Sequence, residues 1–313
     1  MTPATKLPFT RKDGLTEHPA NRAWFLRNLS CPYCGQDFAS VLASDKEHVI
    51  GRNFVPRGTL DGAWNLILRA CRRCNGLKSD LEDDLSAITM HPDSAGRFAC
   101  DDPRLAADLR RKAAKAINRR TRRPVAAGEA PLVIRGQMGP LEMTFTMHSP
   151  PQAAENRLFG LAQLQLQAFF YRLTFDHEHR RGAFWRGGFQ PLLAVRREDW
   201  GNPQLLWFEQ RTAAWLPRLR AITADGFYKV WIKREAEDRI LWAWAMEWNR
   251  NFRLAGFFGL DDSAKAIVDD APPLKLDTLS ETPTSWLKVR TEIPLADDAD
   301  HLFDWDDDVP QSA

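Results

Sequence analysis

The chain has 313 residues, 44% of them hydrophobic and 27% charged, with a net charge of +2. That length suits about two domains with a sizeable core. No run of about 18 apolar residues occurs, which excludes a membrane-spanning helix. Five cysteines without an apolar leader argue against a disulfide-rich secreted protein and for a reducing, cytoplasmic setting.

The small net charge hides an asymmetry. Residues 1–150 carry 23 Lys+Arg against 16 Asp+Glu, whereas residues 151–313 carry 20 against 25. A basic first half suits contact with phosphates. Most of the twelve tryptophans lie beyond residue 180, so the second half has either a large aromatic core or an aromatic binding surface.

Taken in order, residues 1–20 are polar, hold several prolines and are expected to lack regular structure. Asn21 to Asn28 reads as a short helix leading into Cys31-Pro32-Tyr33-Cys34. A second pair, Cys71-Arg72-Arg73-Cys74, follows after 36 intervening residues. Cys31, Cys34, Cys71 and Cys74 form a donor set that closes a tetrahedral Zn²⁺ site with no open position, so the zinc would be structural. Cys100 is solitary and is given only a packing role. Between the pairs lies Asp45-Lys46-Glu47-His48-Val49-Ile50, whose apolar end suits a short buried strand. Neighbours on a strand point to opposite faces, so Glu47 and His48 need twist or a turn to share a site. A helix is expected from Arg72 to between Leu85 and Met90. It places Asn75 one turn beyond Cys71, on the same face. Glu47 and Asn75 offer oxygen donors suited to Mg²⁺ or Mn²⁺, with Asp45 as a nearby substitute. His48 is suited to act as a general base, and Lys78 to meet a phosphate.

A second helix is expected from Asp102 to about Arg119. Its end is dense in cations, with Arg110, Arg111, Lys112, Lys115, Arg119, Arg120, Arg122 and Arg123. This run reads either as a solvated helical face or, being almost free of acids, as a track for a phosphate backbone. Gly and Pro near residues 121–131 mark a domain boundary, dividing the chain into 1–124 and 125–313. Beyond it, a hairpin is expected over Leu132–Met147, with helices over Ala154–Tyr171 and Pro203–Leu216. Strands are expected at Leu192–Val195, Phe227–Ile232, Ile240–Trp248 and Phe252–Phe258, the last three as an antiparallel meander. Trp242 and Trp244 alternate with alanines and so share one face. Asp176-His177-Glu178-His179 reads as an exposed turn. Aspartates crowd the end of the chain from Asp297 to Asp308. They are read as a solvated tail, or as a DNA mimic covering the basic cleft at rest.

The segment from about residue 28 to 90 resembles the HNH endonucleases. Their pattern runs CxxC, acid-His-Ile/Val, Asn-Leu, then CxxC-Asn/His-xx-Lys. Here it stands as Cys31-x₂-Cys34, Glu47-His48-Val49-Ile50, Asn65-Leu66 and Cys71-x₂-Cys74-Asn75-x₂-Lys78. The chain departs from many members in having Glu before the histidine and Asn at the third letter. The helices and strands expected beyond residue 125 make the second domain α+β and Trp-rich, with an antiparallel meander, so the whole chain reads as α+β. The resemblance implies that the N-terminal domain, which carries the basic helical extension, is a zinc-stapled ββα-metal nuclease. It further implies that His48 is the general base, that Asn65 pins the loop carrying His48, and that Glu47 and Asn75 bind a catalytic Mg²⁺ or Mn²⁺. DNA is the implied substrate, cut to leave 5′-phosphate and 3′-hydroxyl ends. One finger cuts one strand, so double-strand cleavage would need a dimer or two binding events. The second half holds no recognisable DNA-reading element. This favours a restriction or antiphage defence effector answering to a protein partner or signal. The competing expectation is a zinc-dependent nucleic-acid-binding module without catalysis.

Overall fold

The computed structural model describes residues 22–38, 43–129, 132–138, 141–147, 150–185, 187–237, 240–282 and 285–304. The expectation for residues 1–20 and the aspartates beyond Asp304 lie outside them. The fold is mixed α+β, with five α-helices and several sheets among the described residues.

The first layer is a three-stranded sheet with a helix. Strand β1 (Trp24–Phe25) runs parallel to the central β3 (Leu66–Cys71), and β2 (Ser44–His48) lies antiparallel on its other side. Helix α1 (Arg72–Thr89) starts directly from the last residue of β3. The helix expected at Asn21–Asn28 is replaced by β1 and extended chain. The backbone groups of β3 explain the change, because its edge would otherwise go unpaired. Trp24 N donates to Asn65 O at 2.8 Å, and the Asn28 amide bridges both backbone groups of Arg69.

Helix α2 (Pro103–Ala113) opens on Asp102, whose side chain accepts from Arg104 N. It stops about six residues short of the expected Arg119. Beyond it the chain bonds to other partners: Arg119 N donates to Asp84 of α1, and Val125 N to Ala116 O. Short strands β4 (Ile117–Asn118) and β5 (Arg123–Pro124) follow, then the expected hairpin of β6 (Leu132–Met138) and β7 (Leu141–Met147). Helix α3 (Glu155–Leu173) packs against α1. Arg157 ties the two, reaching Asp80 at 2.9 Å and the buried Asp84 at 2.8 Å.

The second layer is a five-stranded antiparallel sheet. Strands β9 (Leu216–Thr223), β10 (Tyr228–Arg234), β11 (Trp242–Trp248) and β12 (Phe252–Gly259) form the meander, and β8 (Gly188–Arg196) adds to the β12 edge. Helix α4 (Pro203–Arg211) ends before the expected Leu216, which instead begins β9. There Thr212 Oγ1 donates back to Phe208 O at 2.9 Å and the chain turns. Helix α5 (Asp261–Asp269) and the hairpin of β13 (Asp277–Thr282) and β14 (Ser285–Val289) complete the order.

Period-two alternation in β11 divides two cores. Trp242, Trp244, Met246 and Trp248 join the core that also contains Val49, Ile50, Phe54, Trp64 and Phe169. Trp64 stacks on Phe169 at 5.9 Å, and Phe54 meets Trp248 edge-on at 5.2 Å. Buried residues on both sides of residue 124 therefore share one apolar interior. Ala243 and Ala245 face the other core, where Phe208 stacks on Trp231 at 5.4 Å.

Leu302 and Phe303 are buried in that second core. Trp231 Nε1 donates to Leu302 O at 3.0 Å, and Arg253 pairs with Asp300 and Glu247. The described part of the acidic end thus docks on the sheet face opposite the core shared with β3 and α1. The turn at Asp176–His179 is exposed, as expected, with His179 Nδ1 2.7 Å from Asp176 Oδ2.

Candidate active site and four-cysteine metal centre

The first CxxC pair forms a tight knuckle. Cys31 N donates to Gln36 O and Gly35 N to Cys31 O. Gly35 sits at φ 73°, a region open to glycine. The second pair straddles the β3–α1 junction. The Sγ atoms of Cys31, Cys34, Cys71 and Cys74 all lie within 4.8 Å of one another. Cys34 and Cys71 Sγ are 3.9 Å apart, near the ~3.8 Å edge of a tetrahedron with Zn–S of about 2.3 Å. This group fits a structural zinc. Burial first, and the neighbouring cysteine charges after it, push the Cys31 thiol up to about 12 and raise that of Cys74, and a bound dication is what makes clustered thiolates tenable.

His48 ends β2 and pairs with Ile67. Burial, and then the positive charges of Arg52, Lys46 and Lys78, push its pKa down to about 4. The imidazole is therefore neutral at pH 7. Its Nε2 is buried and has no hydrogen-bond partner among the described residues. Other buried side-chain polar atoms share that state, among them Trp244 Nε1 and Trp248 Nε1, so it is the neutral ring among cations, more than the missing partner, that sets His48 apart. Lys46 lies two residues away on the same strand face, and Arg52 follows in the exposed loop.

That loop is pinned from across the sheet. Asn65 Nδ2 donates to Ile50 O at 2.7 Å, and Asn65 Oδ1 accepts from Ile50 N at 3.2 Å. Asn65 stands where the resemblance places a loop-pinning residue. The large sheet supports the same segment. Gln165 Nε2 donates to Val49 O at 3.5 Å, Tyr228 OH to Gln165 Oε1 at 3.0 Å, and Thr223 Oγ1 to Trp64 O at 2.5 Å.

Glu47 points to the opposite face from His48 and is 5% exposed. Tyr33 OH, from inside the cysteine knuckle, donates to its Oε1 at 3.1 Å, and Lys78 Nζ lies 2.8 Å from the same oxygen. Lys78, expected at a phosphate, is 1% exposed. It also donates to Glu82 Oε1 at 2.6 Å and to His48 O at 3.1 Å. Burial works against its charge, but Glu82 and Glu47 outweigh burial and hold its pKa above that of an ordinary lysine. Asn75 is half-buried in the first turn of α1. Asp45 is half-exposed and pairs with Arg72 at 3.4 Å. Glu47 and Asn75 therefore do not fit as a ready ligand pair for Mg²⁺ or Mn²⁺. A dication at Glu47 would have to displace the Lys78 ammonium.

The basic run divides into two groups. Arg111 pairs with Asp108 and Arg119 with Asp80, while Arg110, Arg120, Arg122 and Arg123 are exposed without an ion pair among the described residues. A cleft of about 480 Å³ opens between the loop after His48, α1 and the end of α2; Arg52, Arg111, Lys115 and Arg119 are among its lining residues. Lys112 is buried behind it, donates to Asn53 O, and is pushed down to about 8 by burial. Sequence reasoning missed Lys46, Arg52 and Glu82. Their signal was spacing: two before and four after His48, and one helical turn beyond Lys78.

The chain matches no protein-family model, no curated protein and no solved structure.

Proposed function

We propose that the protein is an endonuclease that hydrolyses phosphodiester bonds of DNA, with His48 as general base. One observation carries the reading. A neutral imidazole with an unpartnered nitrogen closes β2 under the positive charge of Arg52, Lys46 and Lys78, just before a loop clamped by Asn65. A base must be unprotonated at working pH and have a nitrogen not already engaged, and the neutral ring with its unpartnered Nε2 supports that role for His48.

In this reading the phosphate lies against Lys46 and Arg52, and the flanking backbone reaches the neighbouring cleft, whose wall carries Arg52, Arg111, Lys115 and Arg119 beside Asp80, Glu82 and Asp83. His48 takes a proton from water as its oxygen bonds to phosphorus. The bond to the 3′ oxygen breaks, and that oxygen takes a proton from solvent. The products carry a 5′-phosphate and a 3′-hydroxyl. The cations offset the charge that develops on the phosphate oxygens. The four-cysteine centre, holding zinc, anchors the start of α1 against β3.

The test is end-group analysis of a labelled duplex digested by wild type and His48→Ala, with Mg²⁺ or Mn²⁺ and with EDTA. Ligatable 5′-phosphate ends from wild type alone support the reading, and the EDTA arm reads the divalent-ion requirement that the resemblance implies. Tight DNA binding without cleavage in any sample points instead to the binding module.

A further inference from the structure

The interior of the finger holds an ion cluster that the proposed chemistry does not use. An ammonium has three protons to donate. At Lys78 these meet Glu47 Oε1, Glu82 Oε1 and the carbonyl of His48. The carboxylates are themselves tied down. Tyr33 OH donates to Glu47, and Gly51 N donates to Glu82 Oε1 at 3.1 Å. A Cβ at Gly51 would meet the Glu82 carboxylate, so a larger residue there would push that carboxylate from its place. The cluster thus joins the cysteine knuckle, β2, the loop after His48 and α1 through one buried cation.

We infer that Lys78 is the resident cation of Glu47: its ammonium stands where a divalent ion bound to that carboxylate would sit, and it sets the threshold for such binding. This rests on the endonuclease reading only in naming the ion a nuclease would use.

Charge and space support the inference. A hard dication would sit about 2.1 Å from a Glu47 oxygen. The ammonium is already 2.8 Å from Oε1. Two cations on one carboxylate in a buried setting repel strongly. With Lys78 in place, Glu47 has its charge balanced without metal. Without Lys78, the buried Glu47 and the part-buried Glu82 carboxylates are left with no cation between them. That arrangement is unstable until something positive enters.

The experiment measures Mn²⁺ binding to the zinc-loaded full chain by equilibrium dialysis with electron paramagnetic resonance detection. Wild type, Glu47→Gln, Lys78→Met and the double variant are compared. Lys78→Met is expected to bind Mn²⁺ at least tenfold more tightly than wild type, and the double variant to lose that gain. Glu47→Gln alone is expected to leave wild-type Mn²⁺ binding unchanged, since a glutamine still accepts from Tyr33 and Lys78. Loss of wild-type binding in Glu47→Gln would overturn the inference, because Glu47 would then already be a metal ligand. A gain that survives in the double variant would overturn it too, as would a Lys78→Met protein that folds without any gain. Should Lys78→Met fail to fold, the Glu47→Gln arm decides alone. None of these readouts depends on DNA cleavage, so they stand apart from the test of the endonuclease reading.

Discussion

The side chain of Asn65 grips both backbone groups of Ile50, two residues beyond His48, at 2.7 and 3.2 Å. Both residues are buried. Asn65→Ala leaves a donor and an acceptor unpaired out of water, at a cost of roughly 2–4 kcal/mol. The variant is expected to unfold at lower denaturant with an unchanged m-value and to lose cleavage. Asn65→Asp keeps the acceptor and is expected to fall between alanine and wild type.

The depressed pKa of His48 fixes the pH profile. The folded protein holds the imidazole neutral down to about pH 4, while the unfolded chain takes up a proton near 6.5. With His48 as the proposed base, cleavage is expected to persist through mild acid, with the acid limb of kcat/KM near 4. Cleavage at pH 5.5 should lie within about twofold of that at pH 7.5; a limb near 6.5 would show that His48 titrates as an exposed histidine. In stability the sign runs the same way. The unfolded state binds the extra proton between about 6.5 and 4, so stability falls as pH drops through that window and is flat above it for this group.

Elemental analysis is expected to give one zinc per chain for wild type and none for Cys74→Ser. Structural zinc contributes on the order of 10 kcal/mol to small fingers. Here the finger also packs on the large sheet, so part of the loss is absorbed. A Tm drop of about 10 °C or more is expected, at roughly 2 °C per kcal/mol for a chain of this size.

Arg110, Arg120, Arg122 and Arg123 have no ion pair to lose among the described residues. Replacing all four with alanine should leave Tm unchanged and weaken DNA binding. The slope of log K against log salt should flatten by about 0.9 for each phosphate contact removed. An unchanged slope would remove this run from the DNA path.

Removing residues 296–313 strips Leu302 and Phe303 from the second core and Asp300 from Arg253. Burial of each apolar side chain stabilises by about 1.5–3 kcal/mol. The truncated chain is expected to lose stability without any rise in cleavage, whereas an inhibitory tail would show the opposite.

These contrasts show which parts of the molecule its sequence makes readable. The four cysteines were legible because zinc spacing is written locally, in two turns of chain. The meander was legible because β10 to β12 are adjacent and alternate cleanly. What each face of β11 packs on was not legible, since Phe54 reaches Trp248, and Trp64 and Phe169 join the same core, only through the fold. The extended start at Trp24 was hidden for a similar reason: its partner is the backbone of β3, and propensity alone favours a turn of helix. At the candidate site, the motif named the residues but not their directions. Strand alternation separates Glu47 from His48, and only the packed structure shows that Lys78 lies beneath both.

The most direct test of the central claim is supercoiled plasmid incubated with wild type and with His48→Ala in Mg²⁺ or Mn²⁺. The account predicts open-circle or linear product from wild type, and a rate at least a hundredfold lower from His48→Ala, in line with loss of a general base. Equal cleavage by the two proteins would contradict it.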